Sequence, residues 1–332
     1  MKNNLPFVSI VIACRDEEKF IGKCLDSILA QNYPKEKIEV LVVDGISEDE
    51  TKQIVRKYSK KHHFIKLLAN PKKFTNFAFN VGLKASRGEI IMLMGAHAGY
   101  EKNYVSKCVK YLSAYDADNV GGIMKTLPRK KTLTAKAIAI VLSHPFGAGG
   151  SYFRIGSKKP RWVDTVFGGC YKREVFDKVG LFNENLIRSQ DMEFNLRLKR
   201  SGGKILLAPE IVSYYYPKSR LEDFFIHNFK DGFWQTYEFK FTKKLYCLRH
   251  YIPLLFVISL LGTAIYSIFS EIFLWLFLLI FSLYFLVNFY FSAKITLEQG
   301  NWRYFFVMPF VFACRHIGHG FGSLIGVIKI FI

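Results

Sequence analysis

The residues of this sequence that could do chemistry lie in four polar tips, three of them ending apolar runs. Val8 to Ala13 runs into Cys14-Arg15-Asp16-Glu17, and Val42-Val43 runs into Asp44-Gly45-Ile46-Ser47. A third run, from Ile90 to Met94, ends in Gly95-Ala96-His97, and the segment Arg188 to Arg197 carries Gln190-Asp191. Carboxylates, a guanidinium and an imidazole placed this way are equipment for holding a polar ligand. In open α/β sheets ligands sit outside the carboxyl ends of the strands, so Arg15, Asp16 and Asp44 would face one crevice. Each tip also has a plainer reading. Asp44 can be a turn residue, His97 a structural histidine, and Asp191 a carboxylate at a helix start with Arg197 as a surface partner.

The elements that must position these tips follow from periodicity. Short β-branched runs at 7–13, 38–44, 64–69 and 89–94 alternate with helix-period segments, which predicts a parallel sheet covered by helices. Ile21, Leu25, Ile28 and Leu29 share one helical face. A second helix is expected after Ser47, with Glu48, Asp49 and Glu50 in its first turn, and a third at about 75–85. Beyond Gly99 the alternation loosens, with glycine-rich loops at 147–150 and 168–169. One strong helix, 189–201, is followed by Gly202-Gly203 and a strand at 204–208.

The chain has 332 residues, 47 Lys and Arg against 27 Asp and Glu, and half its residues are hydrophobic. Only four of the basic and two of the acidic residues lie beyond position 250, so a strongly basic part precedes an apolar tail. With such a tail alongside, the charge suits anionic lipid headgroups and diphosphate-bearing substrates rather than nucleic acid. The six cysteines form no Cys-x-x-Cys pair, and they read as buried small hydrophobes rather than as a zinc site or a disulfide framework. The apolar run at 5–14 reads as a strand, not a signal peptide. Two stretches of spanning length, about 251–269 and 272–293, are joined by Ser270-Glu271, with Lys243, Lys244 and Arg249 before them and Lys294 and Arg303 after. The positive-inside rule places the large domain in the cytoplasm. The third stretch, 304–330, is interrupted by Arg315, His316, His319 and four glycines, and it can span, re-enter or lie in the interface.

Taken in order, these segments resemble the family 2 glycosyltransferases, most closely their succinoglycan-type exopolysaccharide branch. The resemblance extends through Gly121-Gly122, the SHPFGAGGSYFR stretch from Ser143 to Arg154, Val163-Asp164-Thr165, the Gln190-Asp191 segment and the hydrophobic tail. It implies a GT-A-type, Rossmann-like α/β domain at 1–241, with a nucleotide-binding half at 1–99 and an acceptor half with an interfacial segment at 100–241. A membrane region follows at 242–332. It further implies an inverting hexosyl transfer from a nucleotide-diphosphate sugar, taken as UDP-glucose, to a lipid-linked glycan at the bacterial cytoplasmic membrane.

By position, Asp44, Arg15, Asp16 and Glu17 would hold the base and ribose, Lys73 or its neighbour Lys72 would approach the diphosphate, and Asp191 would be the general base. Such enzymes use a divalent cation, Mn or Mg, on an acidic tip. Here Gly95 stands where the first Asp usually is, and His97 is retained as a ligand. Either the donor brings most of the cation's ligands, or basic residues replace it, or the enzyme is impaired. The Gln-x-x-Arg-Trp motif of processive synthases is absent. A polyprenyl-phosphate glycosyltransferase and a silent homologue that binds nucleotide or a partner are the alternative readings.

Overall fold

The computed structural model describes residues 5–332, which form two compact units, each assembled from two pieces of the chain. The first comprises residues up to Lys125 together with Ser151–Tyr215, and the second comprises Thr126–Gly150 and Tyr216–Ile332. This division differs from the expected boundary at 241. Residues 126–150 and 216–241, placed with the transferase domain from the sequence, pack with the apolar tail.

The first unit is built on one mixed sheet of nine strands: β1 (Val8–Cys14), β2 (Ile38–Asp44), β3 (Ile65–Ala69), β4 (Ile90–Gly95), β5 (Ala98–Tyr100), β6 (Asn119–Thr126), β7 (Arg161–Trp162), β8 (Cys170–Lys172) and β9 (Ile205–Tyr215). The order is β3-β2-β1-β4-β8-β6-β9-β5, with β7 beside β9. β3, β2, β1 and β4 are parallel, in register from Val8 opposite Ile38 to Cys14 opposite Asp44, whereas β8 runs antiparallel to β4 and β6. Every residue of β2 is buried, and six of seven in β1, as expected where helices cover both faces of a parallel sheet. Buried Glu39 of β2 is matched at the amino edge by the Ser9 hydroxyl (2.7 Å) and the backbone amide of Arg87 (2.7 Å). On one face the helix Thr75–Ala85 presses close to β1, because a Cβ on Gly82 would lie 2.3 Å from Val11 Cγ1. Asn80 pins the same helix through a reciprocal pair of bonds to the Phe182 backbone, both 2.9 Å.

The expected parallel strands lie within a residue of the observed ones. The second helix does not: it spans Thr51–Lys61, with the acidic residues ahead of it. Asp49 instead accepts from the Thr51 hydroxyl (2.5 Å) and the Glu18 amide (3.0 Å), so the carboxylate ties loops rather than joining a helix turn. Four cysteines are buried, but Cys247 is exposed.

The second unit contains three helices long and apolar enough to cross a membrane, Leu248–Tyr266, Glu271–Gln299 and Arg303–Phe331. The stretch whose form the sequence left open is thus helical throughout, and its interruptions have partners. Arg315 donates from Nε to the Gly147 carbonyl (3.1 Å) and from Nη1 to Asn228 Oδ1. The His316 ring lies between the Phe146 carbonyl (Nε2, 2.8 Å) and the Tyr284 hydroxyl (Nδ1, 3.2 Å). The segment around Pro145–Ala148 is therefore fastened to the apolar helices, with Phe146 stacked on Phe291 at 4.9 Å. Gly318, Gly322 and Gly326, one turn apart, let the helix Leu221–Tyr237 come into backbone contact: their Cβ atoms would lie 3.2 Å from Phe225, 1.9 Å from the Phe229 carbonyl and 2.2 Å from Thr236 Oγ1. Close approach through small residues is how helices associate in lipid, where apolar burial between them gains nothing. Phe224 of Leu221–Tyr237 is only 1 % exposed.

Candidate active site

The carboxyl ends of β1 and β2 carry two loops that hold each other. The Asp16 amide donates to Ser47 Oγ (2.9 Å), Asp16 Oδ1 accepts from the Glu48 amide (2.9 Å), and the Glu17 amide donates to Thr51 Oγ1 (2.8 Å). Asp16 takes up a left-handed backbone, φ 55°, to allow this. Asp44 is buried and accepts from the Ser47 amide (3.1 Å) and hydroxyl (2.5 Å), the turn arrangement that the sequence admitted as its plainer reading. Hydrogen bonds from the Thr51 hydroxyl and from backbone amides outweigh desolvation, which acts the other way, and hold the Asp49 carboxyl below its ordinary range. Lys73, itself at φ 67°, brings its carbonyl to where a Cβ on Gly45 would sit, 2.8 Å away. Arg15, Asp16, Asp44 and Lys73 are thereby neighbours beyond the ends of β1 and β2.

Glu17, which the resemblance places with the base and ribose, lies beside His97. Its Oε1 lies 3.0 Å from His97 Nδ1, beyond the end of β4. A carboxylate on Nδ1 favours the tautomer that leaves Nε2 as the open lone pair, the arrangement found behind many metal-binding histidines. His97 also lies against the ring of Tyr215, centroids 5.7 Å apart, and Tyr215 receives the guanidinium of Arg154 at 5.6 Å. Tyr215 and Arg154 were not singled out as site residues, since nothing local in the sequence brings β9 to this tip. The Gly95 amide donates to the hydroxyl of Tyr100 (2.7 Å), whose phenol burial pushes well above its usual range. Burial, with Glu17 nearby, pushes the Cys24 thiol up to about 12, so it is inert.

Beside β4 runs the segment 163–169. Gly169 accepts from the Leu93 amide (3.0 Å), and Phe167 lies 3.7 Å from where a Gly95 Cβ would be. Thr165 accepts from Asn195 Nδ2 (3.0 Å), on the helix Gln190–Arg200 that carries Asp191 in its first turn. Asn195 Oδ1 in turn accepts from Asn119 (3.0 Å) and the Tyr171 hydroxyl (3.3 Å). Burial first, and the negative charge of Asp191 second, push the Tyr171 phenol upward, which puts that carboxylate within electrostatic reach of a fully buried ring. Ser189, at φ 61°, turns the chain sharply into this helix. Arg197 is not a surface partner: it forms a fork with Glu193 (2.7 and 2.9 Å) and donates to the carbonyls of Val179 (2.6 Å) and Leu181 (2.9 Å).

Among the described residues no cluster of three or more His, Cys, Asp or Glu is arranged to hold a metal. The residues fit a divalent cation only as a shared ion, with His97 Nε2 as the protein's one ligand and anionic ligand oxygens as the rest. Gly95 adds no ligand but leaves room for one, since its Cβ would make only ordinary contacts with Phe167 and Ala98.

A parallel nucleotide-type half continued by antiparallel strands, with a polar tip after β4, is the architecture of a GT-A-type transferase. The chain belongs to glycosyl transferase family 2, whose family model matches residues 9–180, and it is a glycosyltransferase. It is 34 % identical over 226 residues to the dolichyl N-acetyl-alpha-D-glucosaminyl phosphate 3-beta-D-2,3-diacetamido-2,3-dideoxy-beta-D-glucuronosyltransferase of Methanococcus voltae, covering 66 % of this chain and 69 % of that one. It is 27 % identical over 247 residues to the succinoglycan biosynthesis protein ExoA of Rhizobium meliloti, covering 74 % of each. The mannosyltransferase PcManGT of Pyrobaculum calidifontis, solved with GDP-Man and Mn2+, shares the fold at a TM-score of 0.64 and 18 % identity, over 96 % of this chain and 88 % of that one.

Proposed function

We propose that the protein is an inverting hexosyltransferase that moves a sugar from a nucleotide-diphosphate donor to a lipid-linked oligosaccharide at the cytoplasmic membrane, with the first unit in the cytoplasm. The observation that carries this reading is the pairing, in one chain, of a GT-A site with a unit of three spanning-length helices. The named acceptor of the Methanococcus voltae relative, a dolichyl-linked sugar, supports the lipid-borne acceptor. Likeness to ExoA supports exopolysaccharide or capsule assembly and, through the succinoglycan-type resemblance, UDP-glucose as donor.

In this reading Arg15, Asp16 and Asp44 hold the nucleoside and Lys73 lies toward the diphosphate. Asp191 takes the proton from the acceptor hydroxyl as its oxygen attacks the anomeric carbon opposite the leaving diphosphate. The Asn119–Asn195–Thr165 network fixes the helix that carries Asp191. A divalent cation, Mn or Mg, would be held by His97 and the donor's oxygens, and when bound it neutralises charge developing on the diphosphate. The Mn2+ in the Pyrobaculum calidifontis enzyme supports such an ion.

The test is transfer from UDP-glucose by membranes containing the protein, with and without manganese, to a polyprenyl-diphosphate glycan and, separately, to polyprenyl phosphate. Product on the glycan supports the reading. Product on polyprenyl phosphate alone replaces it with the polyprenyl-phosphate alternative. Glu17→Gln is expected to lower turnover or raise the manganese requirement by roughly 10–100-fold, the range for losing a carboxylate behind a metal-bound histidine. Unchanged manganese dependence would remove His97 from the cation. Gly95→Asp is expected to fold as the parent does and to tighten manganese-dependent donor binding, read by calorimetry. A great rise in turnover from nearly nothing would favour the silent-homologue reading, which rests on Gly95.

A further inference from the structure

An open cavity of about 500 Å³ lies on the second unit and is lined by none of the residues assigned above. Its polar lining is Thr126, Lys136, Ser143, Gln299, Asn301 and Tyr304. Each carries a hydrogen-bond donor, one is a cation, and no carboxylate lines the space. Asn301 has its Oδ1 occupied by the Arg303 amide (3.1 Å), which leaves its NH2 to donate. A donor-rich, acid-free cavity with one ammonium is built for an oxyanion, and its volume suits a small ligand. Lys130 and Lys131, exposed in the turn before the helix Leu133–Ser143, add positive charge on the same piece of chain.

The cavity's depth in the bilayer follows from its residues. Gln299, Asn301 and Tyr304 sit at the short connection between Glu271–Gln299 and Arg303–Phe331, the end that the positive-inside rule assigns to the cytoplasm. Trp302, 68 % exposed, and Arg303 mark the headgroup level there. We propose that this cavity seats the phosphate head of the lipid-linked acceptor, with Lys136 as the charge partner and Ser143 and the two carboxamides as donors. The proposal rests on the lipid-acceptor reading above and names the place where that lipid is gripped.

The test uses the full chain in neutral nanodiscs, with farnesyl phosphate as the probe and nucleotide-sugar binding as the internal control. Lys136→Ala is expected to weaken farnesyl phosphate binding by about tenfold or more, the loss of one charge-assisted contact. Ser143→Ala is expected to weaken it several-fold, and both variants are to keep the parent's melting temperature and donor affinity. Equal farnesyl phosphate affinity in the parent and both variants, with transfer to a lipid-linked glycan intact, overturns the site and spares the function. Failure of the parent to transfer to any lipid-linked acceptor overturns both. Displacement of the probe by phosphatidylglycerol or by inorganic phosphate at the same concentration overturns the acceptor assignment in favour of a general headgroup or free phosphate site.

Discussion

Asp191→Asn is expected to lower sugar transfer by about 10²–10⁴-fold, the range for removing a general base, while nucleotide-sugar binding stays within a few-fold of the parent. The amide keeps the shape of the side chain and its place in the first turn of Gln190–Arg200, but cannot take a proton. Donor titration of the same variant separates a loss of chemistry from a loss of fold. The helix is held by Asn195 to Thr165 and Asn119, and by the Glu193–Arg197 fork to the Val179 and Leu181 carbonyls, none of which involves Asp191. Asp191→Glu, which restores the carboxylate at a shifted position, is expected to recover part of the rate. The measurement is single-turnover transfer to the lipid-linked glycan beside donor titration. Activity within a few-fold of the parent in Asp191→Asn would take the base away from this helix.

The second large effect is structural. Gly322→Leu is expected to destabilise the second unit by about 3 kcal/mol or more, at or beyond the upper end of ordinary overpacking. A Cβ at this position would stand 1.9 Å from the Phe229 carbonyl carbon's oxygen, and backbone on both sides leaves no side chain to move aside. Gly262→Ala is the matched control, because its Cβ would meet nothing within 4 Å, and Ala is the better helix former. Thermal unfolding of the detergent-solubilised protein compares the two: a Gly322→Leu melting temperature equal to that of Gly262→Ala would show that the two helices do not pack through this ladder.

The parallel half of the fold was legible because its strands are buried on both faces and stand out as unbroken apolar runs. Ile38–Asp44 and the helix Thr75–Ala85 coincide with the expected bounds, and the tips Arg15–Glu17, Asp44 and His97 follow from those strand ends. The acidic start of the second helix was misread because Asp49 has a better use, bonding Thr51 and Glu18 in a clasp between loops distant in sequence. The glycines of the last helix were read as interruptions, yet their spacing of four residues is a packing face, visible only once Leu221–Tyr237 lies against it. Nothing periodic assigns Thr126–Gly150 to the apolar helices. That assignment comes from single contacts such as His316 with the Phe146 carbonyl, made across 170 residues. Tyr215 and Arg154 near His97 were hidden for the same reason.

The two-piece construction of the second unit bears on how the protein is made. The apolar helix Leu133–Ser143 packs on Arg303–Phe331, a helix that starts 160 residues later. At synthesis rates of about 5–20 residues per second, its partner leaves the ribosome roughly 8–30 s afterwards. During that interval the early segment has only the rest of the nascent chain, a holdase or the bilayer surface to shelter its apolar face. A polypeptide stopped short of residue 303 would keep that face uncovered for good, so premature termination here should yield a product marked for proteolysis rather than a smaller working enzyme.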